Sequence, residues 1–382
     1  MATSWQRGIA ILTGIYVSRM LGLFMVFPVF SLYASELAGA NKTLVGVALG
    51  IYGLSQGLLQ LPCGWLSDRF GRKPVIAAGL LLFVSGSLLA ATATTITMMI
   101  AARAVQGMGA IAAVTLAYAT DITPGEKLGK VMAILGGSIG MAFVLSLIIG
   151  PLVAAWIGVA GLFYLIALIA GLALVAGLRL PPVAARRAAP AAGGGYDKRQ
   201  LAQAAASIFF LHAVFTATFL VLPPLLVEAG IAKANHWWLY LPANLVALCF
   251  MRVKATPHPL NFGISYLLLA VGTGLLAMPF GLWWLLFALS VYFIAFYRLE
   301  TGLPHWVAHI ASAEARGRAM GFYSSAQFLG SFCGGAVAGR LWHDLPPATV
   351  LLPLVTACAC AALLLLKIGK TTTLRAAKHG NT

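Results

Sequence analysis

Apolar runs long enough to cross a lipid bilayer follow one another along this chain with only short polar breaks. No other feature limits its fold as strongly. The first run extends from Gly8 to about Tyr33. It is too long for the core of a signal peptide and reads as a retained span. A crossing needs about 20 apolar residues at a rise of about 1.5 Å each. Only 9% of residues are charged and 61% are hydrophobic, whereas soluble domains carry about 25% charged residues. A mean hydropathy of +0.93 puts nearly the whole protein in lipid, not one anchor beneath a soluble domain.

Twelve spans are expected, at 8–33, 43–65, 74–93, 95–120, 129–157, 159–180, 201–227, 236–251, 261–279, 282–310, 318–342 and 346–367. The chain is therefore read as an all-α integral membrane protein. Its net charge of +16 would suggest nucleic acid in a soluble protein. Here the cations sit at span ends and in alternate loops, as the positive-inside rule describes, so no nucleic-acid partner is expected.

The same rule orients the chain. With the N-terminus inside, the inner loops and tails hold Arg7, Arg69, Arg72, Lys73, Lys127, Lys130, Arg179, Arg186, Arg187, Lys198, Arg199, Arg252, Lys254, Arg316, Arg318, Lys367, Lys370, Arg375 and Lys378. Outside lie Lys42, Lys233 and Arg340. That imbalance predicts two cytoplasmic termini.

The segment "RLPPVAARRAAPAAGGGYDKRQ" (179–200) is rich in Pro, Ala, Gly and Arg and has no apolar period. It reads as a cytoplasmic linker at 181–200 between an N-terminal half (1–180) and a C-terminal half (201–382), each of six spans. A basic segment lying on the lipid surface is the other reading, and the two are compatible. A short repeat supports the halves. "ITPGEKLGKVM" (122–132) and "IASAEARGRAM" (310–320) share Ile122/Ile310, Glu126/Glu314, Gly129/Gly317 and Met132/Met320, and Lys130 matches Arg318. Both stretches enter spans running in the same direction, which implies parallel repeats about the membrane normal.

Ionisable residues well inside spans are few. They are Arg19 in span 1, Arg103 in span 4, His212 in span 7, and Arg298, Glu300 and His305 in span 10, with His309 near its inner end. A charge at the bilayer centre costs at least about 2.5–3.5 kcal/mol, so such residues face protein or water. Spans 1, 4, 7 and 10 are thus expected to line one central cavity.

Glu300 is the single intramembrane carboxylate. With His212 it is the candidate for proton coupling. Arg298 is two residues away and nearly opposite on the helix, so Glu300 should find Arg19 or His212 on another helix. Pro304 deprives the Glu300 carbonyl of its helical partner, which predicts a kink beside the carboxylate. Arg298, Gly302, His305 and His309 fall on one predicted stripe. Arg19, Arg103, Arg298 and His305 are candidate substrate contacts, and their charge leans toward an anionic or zwitterionic substrate.

A metal on the His305–His309 pair would need further ligands, and no second such pair exists, so no metal is expected. Cys63, Cys249, Cys333, Cys358 and Cys360 lie in apolar runs and read as small packing residues.

Three motifs carry a resemblance. "GWLSDRFGRKPVI" (64–76), between spans 2 and 3, holds Gly64, Asp68, Arg69, Gly71, Arg72 and Lys73 in the order Gly-x-x-x-Asp-Arg-x-Gly-Arg-Lys. "RAVQGMGA" (103–110) holds Arg103, Gln106 and Gly107. "GPLVAA" (150–155) closes span 5 with Gly150 and Pro151, but has Ala154 and Ala155 where the antiporter form has two glycines. The chain resembles the major facilitator superfamily. "SRMLGLFMVFPVF" (18–30) and "GRAMGFYSSAQFLG" (317–330) bring it near the YajR-like, drug:proton antiporter-like branch, without the extra C-terminal cytoplasmic domain of larger members.

The resemblance implies the twelve-helix fold of that superfamily, two halves about a central cavity. It implies that Asp68 sits near the N-terminus of span 11, where the helix dipole favours an anion, and that Arg72 pairs with Asp121. These contacts would form when the cytoplasmic side closes. The counterpart "RVKATPHPLN" (252–261) is degenerate, which confines such a lock to the first half.

The expected function is a secondary active transporter, not an enzyme, working by alternating access. It would export a small molecule by proton-coupled antiport. The alternatives are a lipid or lysolipid flippase on the same fold and a transport-dead membrane sensor. No cofactor is expected beyond the proton gradient. The expected partners are the bilayer, a small-molecule substrate and protons. The expected form is a monomer in a bacterial inner membrane.

Overall fold

The computed structural model describes residues 4–181, 195–250, 258–278, 280–312 and 315–379. Most of the 181–200 linker, the 252–257 part of the degenerate loop, and Glu314 of the repeat lie outside the described residues. The described chain is helical, and its only β pairing is two isolated bridges, Ala38 with Thr95 and Tyr196 with Ala311.

Its helices are α1 (Ser4–Phe24), α2 (Phe30–Ala34), α3 (Lys42–Phe70), α4 (Arg72–Ala91), α5 (Ile96–Met108), α6 (Ala112–Ile122), α7 (Leu128–Gly177), α8 (Lys198–Glu228), α9 (Trp237–Phe250), α10 (Pro259–Leu276), α11 (Leu282–Ile310), α12 (Arg316–Asp344) and α13 (Pro347–His379). Nine described stretches are long and apolar enough to cross a membrane. The Gly125–Gly177 stretch, 53 residues, has length for two crossings. Gly158, at φ +70°, turns the chain between them. The short α9 and the more polar α12 complete twelve.

Three local expectations change. Span 1 is not one helix: α1 stops at Phe24, residues 25–29 form turns, and α2 follows. Pro28, which has no N–H to give, sits in that break. Gly150 of α7 packs on the Met25 carbonyl there, where a Cβ would clash. Span 4 likewise divides at Gly109–Ile111, where Gly109 lies against the Gly79 carbonyl. The loop between spans 2 and 3 shrinks to Gly71, because α3 and α4 extend from both sides. Gly71 sits at φ +94°, ψ 155°, a region open essentially to glycine alone. Helix α11 is continuous through Pro304.

Helix α12 is held between two others. Along α3 it runs antiparallel in close register: Gly46 meets Gly335 and Gly339, Gly50 meets Phe332, Gly53 meets Phe328, and Gly57 meets Ser325. On its other face Gly330 and Gly334 press on the Phe209 and Ala213 carbonyls of α8. Small residues permit this close approach where lipid supplies no hydrophobic drive between helices.

A ring cluster joins the first six spans to the last six. Phe143 of α7 stacks on Phe296 of α11 at 5.6 Å and meets Phe215 of α8 at 5.7 Å. Phe27 meets Phe215 at 5.0 Å. Beyond it, at the end away from the termini, Lys233 reaches Glu36 at 3.1 Å. Phe143 also meets Tyr297 at 5.9 Å, so α7 and α11 touch at the cluster. On its terminal side Gly136 and Gly140 of α7 are exposed with open space around them, and Thr301 and His305 of α11 are exposed as well.

Candidate functional site

Glu300 lies one turn beyond Tyr297 on α11, its side chain 26% exposed. Its Oε2 lies 3.0 Å from His212 Nε2 of α8. The imidazole is nearly sealed, at 8% side-chain exposure. Gln327 of α12 closes the group: its Nε2 donates to Glu300 Oε1 at 3.0 Å and lies 2.7 Å from His212 Nε2. Ser331 Oγ lies 3.5 Å from His212 Nδ1. Three helices thus meet on one carboxyl.

The geometry constrains the proton. A ring nitrogen either donates or accepts. With the Gln327 amide donating to it, His212 Nε2 offers a lone pair. That lone pair is single, so Nε2 cannot take a hydrogen from Gln327 and from Glu300 together. With a proton on Nε2 the ring donates to Glu300 instead, and Gln327 must turn its amide or leave the ring. The position of a single proton therefore decides how α12 is bonded to α8 and α11.

The remaining ionisable residues divide differently from the sequence expectation. Of the two candidate partners for Glu300, His212 pairs with it and Arg19 does not. Arg19 Nη2 donates to Tyr52 Oη at 3.0 Å and Gln56 Oε1 at 2.8 Å. Arg103 Nη1 donates to Gln106 Oε1, and the Gln106 amide donates to Ser87 Oγ at 2.8 Å. Both arginines lie buried among the first six spans, not open on a cavity wall.

Arg298 turns to α10, where its Nε donates to Ser265 Oγ at 3.2 Å, and Gly302 faces Phe262 of the same helix. The predicted stripe therefore splits: Arg298 and Gly302 face α10, while His305 and His309 are exposed. Among the described residues no three of His, Cys, Asp and Glu gather as a metal site would require.

The signature stretch forms its own network. Arg72 bridges Asp68 at 2.5 Å and Asp121 at 3.0 Å, and donates to Ser67 Oγ at 2.6 Å. The close α3–α12 register is seen as far as Leu61 against Gly321, about two turns before Asp68. Lys73 Nζ donates to the Leu178 carbonyl at 2.6 Å, at the C-terminal end of α7, where a cation is favoured. Arg69 takes no part in these ion pairs and lies over the Trp65 and Phe70 rings at 5.6 Å. Gly107 packs on the Tyr52 carbonyl, whereas Gly64 has open space around it.

Sequence reasoning missed Gln327, Gln56, Ser87 and Ser265. A search for ionisable groups passes over neutral polar residues, yet each is a polar side chain inside a span and so carried a readable signal.

The comparisons with known proteins fit this architecture. Residues 12–334 match the Major Facilitator Superfamily. The chain belongs to that superfamily. It is thus a multi-pass membrane protein and a secondary transporter. It is 35% identical to the inner membrane transport protein YajR of Escherichia coli over 340 residues, covering 85% of this chain and 75% of that one. It is 25% identical to the multidrug resistance protein MdtH of Aeromonas salmonicida over 345 residues, 85% of each. Among solved structures, the human organic anion transporter MFSD10 superposes with a TM-score of 0.72 at 17% identity, covering 95% of this chain and all of that one. At that identity the likeness speaks for the fold alone.

Proposed function

We propose that this transporter exports a small molecule from a bacterial cell in exchange for entering protons, by alternating access. The observation that carries the reading is the Glu300–His212–Gln327 group. We read the exposed stretches of α7 and α11 on the terminal side of the ring cluster as a vestibule with this group at its head, and the hydrogen bonds of the group change with one proton. Because Gln327 belongs to α12, and α12 packs along α3, protonation is tied to the contact between the first and last six spans. Relatives named for drug resistance support export, and a relative named for the inner membrane supports the location. The lysine and arginine distribution supports cytoplasmic termini, which makes the vestibule an inward-facing one.

In the proposed cycle, outward export brings the inner ends together and opens the outer ends. Lys233–Glu36 is then an outer latch that breaks. Both residues are well exposed, 60% and 67%, so the latch is weak. The Asp68–Arg72–Asp121 network is already intact in this arrangement, so its bonds within the first six spans do not themselves close the inner side; the inner lock we propose is a further contact of Asp68 with the start of α12, formed in the opposite state.

The test is accumulation by inside-out vesicles. A panel of labelled organic anions, zwitterions and cations is offered with and without an acid-interior pH gradient. Gradient-dependent accumulation of at least one class is expected. Equal uptake in the two conditions, for a compound that does enter, contradicts proton coupling.

A further inference from the structure

We propose that Arg19 and Arg103 form a binding site for an anionic group, a carboxylate above all, on the transported molecule. The inference rests on the transport reading above. Both guanidiniums are sealed, at 2% and 0% exposure. Neither meets a carboxylate. They flank one side chain: Arg19 donates to the Tyr52 hydroxyl, and Arg103 lies over the Tyr52 ring at 4.9 Å.

The donors outnumber their acceptors. A guanidinium presents five N–H groups. Nε and Nη1 of Arg19, Nε and Nη2 of Arg103, and Nε2 of Gln56 are all buried without a partner. Every one of these atoms is a donor. On the same spans Thr13 Oγ1, Ser31 Oγ and Gln60 Oε1 are also unpartnered, but they are neutral. Two cations buried without counter-charge are disfavoured. Water would occupy the donors and leave both charges uncompensated. A carboxylate does both jobs, since its two oxygens match the guanidinium fork.

The unfolding temperature of the full-length protein in detergent provides the test. Acetate, benzoate and succinate are compared with acetamide, benzamide and chloride at constant ionic strength. A saturating rise is expected with at least one carboxylate and with neither amide. Arg19→Gln and Arg103→Gln should lose it.

A second variant, Gln56→Glu, tests the site without removing an arginine. It places a carboxylate oxygen where Gln56 Nε2 now lacks a partner, beside Arg19. This protein should unfold at a higher temperature in plain buffer and show no carboxylate-dependent rise. A saturating rise with chloride alone overturns the substrate assignment. A rise shared by carboxylates, amides and variants overturns the site. So does a Gln56→Glu protein that gains no stability, whatever the carboxylates do. Glu300→Gln should keep the carboxylate response, so failure of proton coupling and failure of the anion site are read separately.

Discussion

His212 Nε2 stands 3.0 Å from Glu300 Oε2, joining two helices whose residues are 88 apart in sequence. Gln327 touches both. The proposed mechanism follows from this triangle, because His212 Nε2 cannot donate to Glu300 and accept from Gln327 at the same time.

Gln327→Leu removes the amide that reads the proton and keeps an apolar shape. A hydrogen bond to a charged group contributes about 1.5–3 kcal/mol. Gradient-driven accumulation should therefore fall about tenfold or more, while the protein still folds and inserts. Vesicle accumulation beside a size-exclusion profile checks both halves of this expectation.

The Arg72–Asp121 contact should show as a coupling energy. Both side chains are shielded, at 16% and 15% exposure. A double-mutant cycle with Arg72→Ala and Asp121→Ala should give about 0.5–3 kcal/mol of interaction. Asp68→Asn should increase labelling of cysteines placed at vestibule positions such as Gly136. A coupling near zero, or unchanged labelling, argues against the lock.

Two glycines of the signature stretch should behave differently. Gly71 sits at φ +94°, so Gly71→Ala should cost about 1–3 kcal/mol. Gly64 lies inside helix α3 with open space around it, so Gly64→Ala should leave stability unchanged or slightly raised. Unfolding temperatures of the two variants, measured side by side, decide this.

Asp197 caps α8 by accepting from the backbone N–H of Arg199 at 2.9 Å and of Gln200 at 3.0 Å. The Gln200 side-chain amide, donating at 2.7 Å, is the main cause of a carboxyl pKa below the usual Asp value. A folded pKa below the unfolded one means stability that is present at neutral pH. It is lost as pH falls through the folded value, below about 3.9. Asp197→Ala should cost about 1 kcal/mol of helix stability at pH 7 and little once the carboxyl is protonated. Hydrogen exchange across residues 198–204 reads this directly.

Much of the architecture was legible. Hydropathy alone separates the spans, since lipid tolerates no unpaired backbone outside protein. The Arg72–Asp121 pair was expected from the resemblance, and the scarcity of charge inside spans narrowed the partner of Glu300 to Arg19 or His212, of which His212 is the one found. Other features depend on tertiary contact. The breaks at Pro28 and Gly109 leave the apolar run uninterrupted, so only packing on Gly150 and Gly79 reveals them. Arg298 and His305 share a predicted stripe, yet a helix gripped by α10 on one side and open on the other assigns them different surroundings. Arg19 looked like a partner for Glu300 because charge was counted without the neutral Tyr52 and Gln56 that hold it.

Glu300→Gln fixes the neutral shape of the carboxyl while preserving its hydrogen-bonding size. The direct test compares two activities of this variant in the same inside-out vesicles: pH-gradient-driven accumulation, and exchange of labelled for unlabelled substrate without a gradient. Loss of accumulation with exchange retained is the predicted result. Accumulation that still follows the gradient would remove Glu300 from proton coupling and contradict the mechanism.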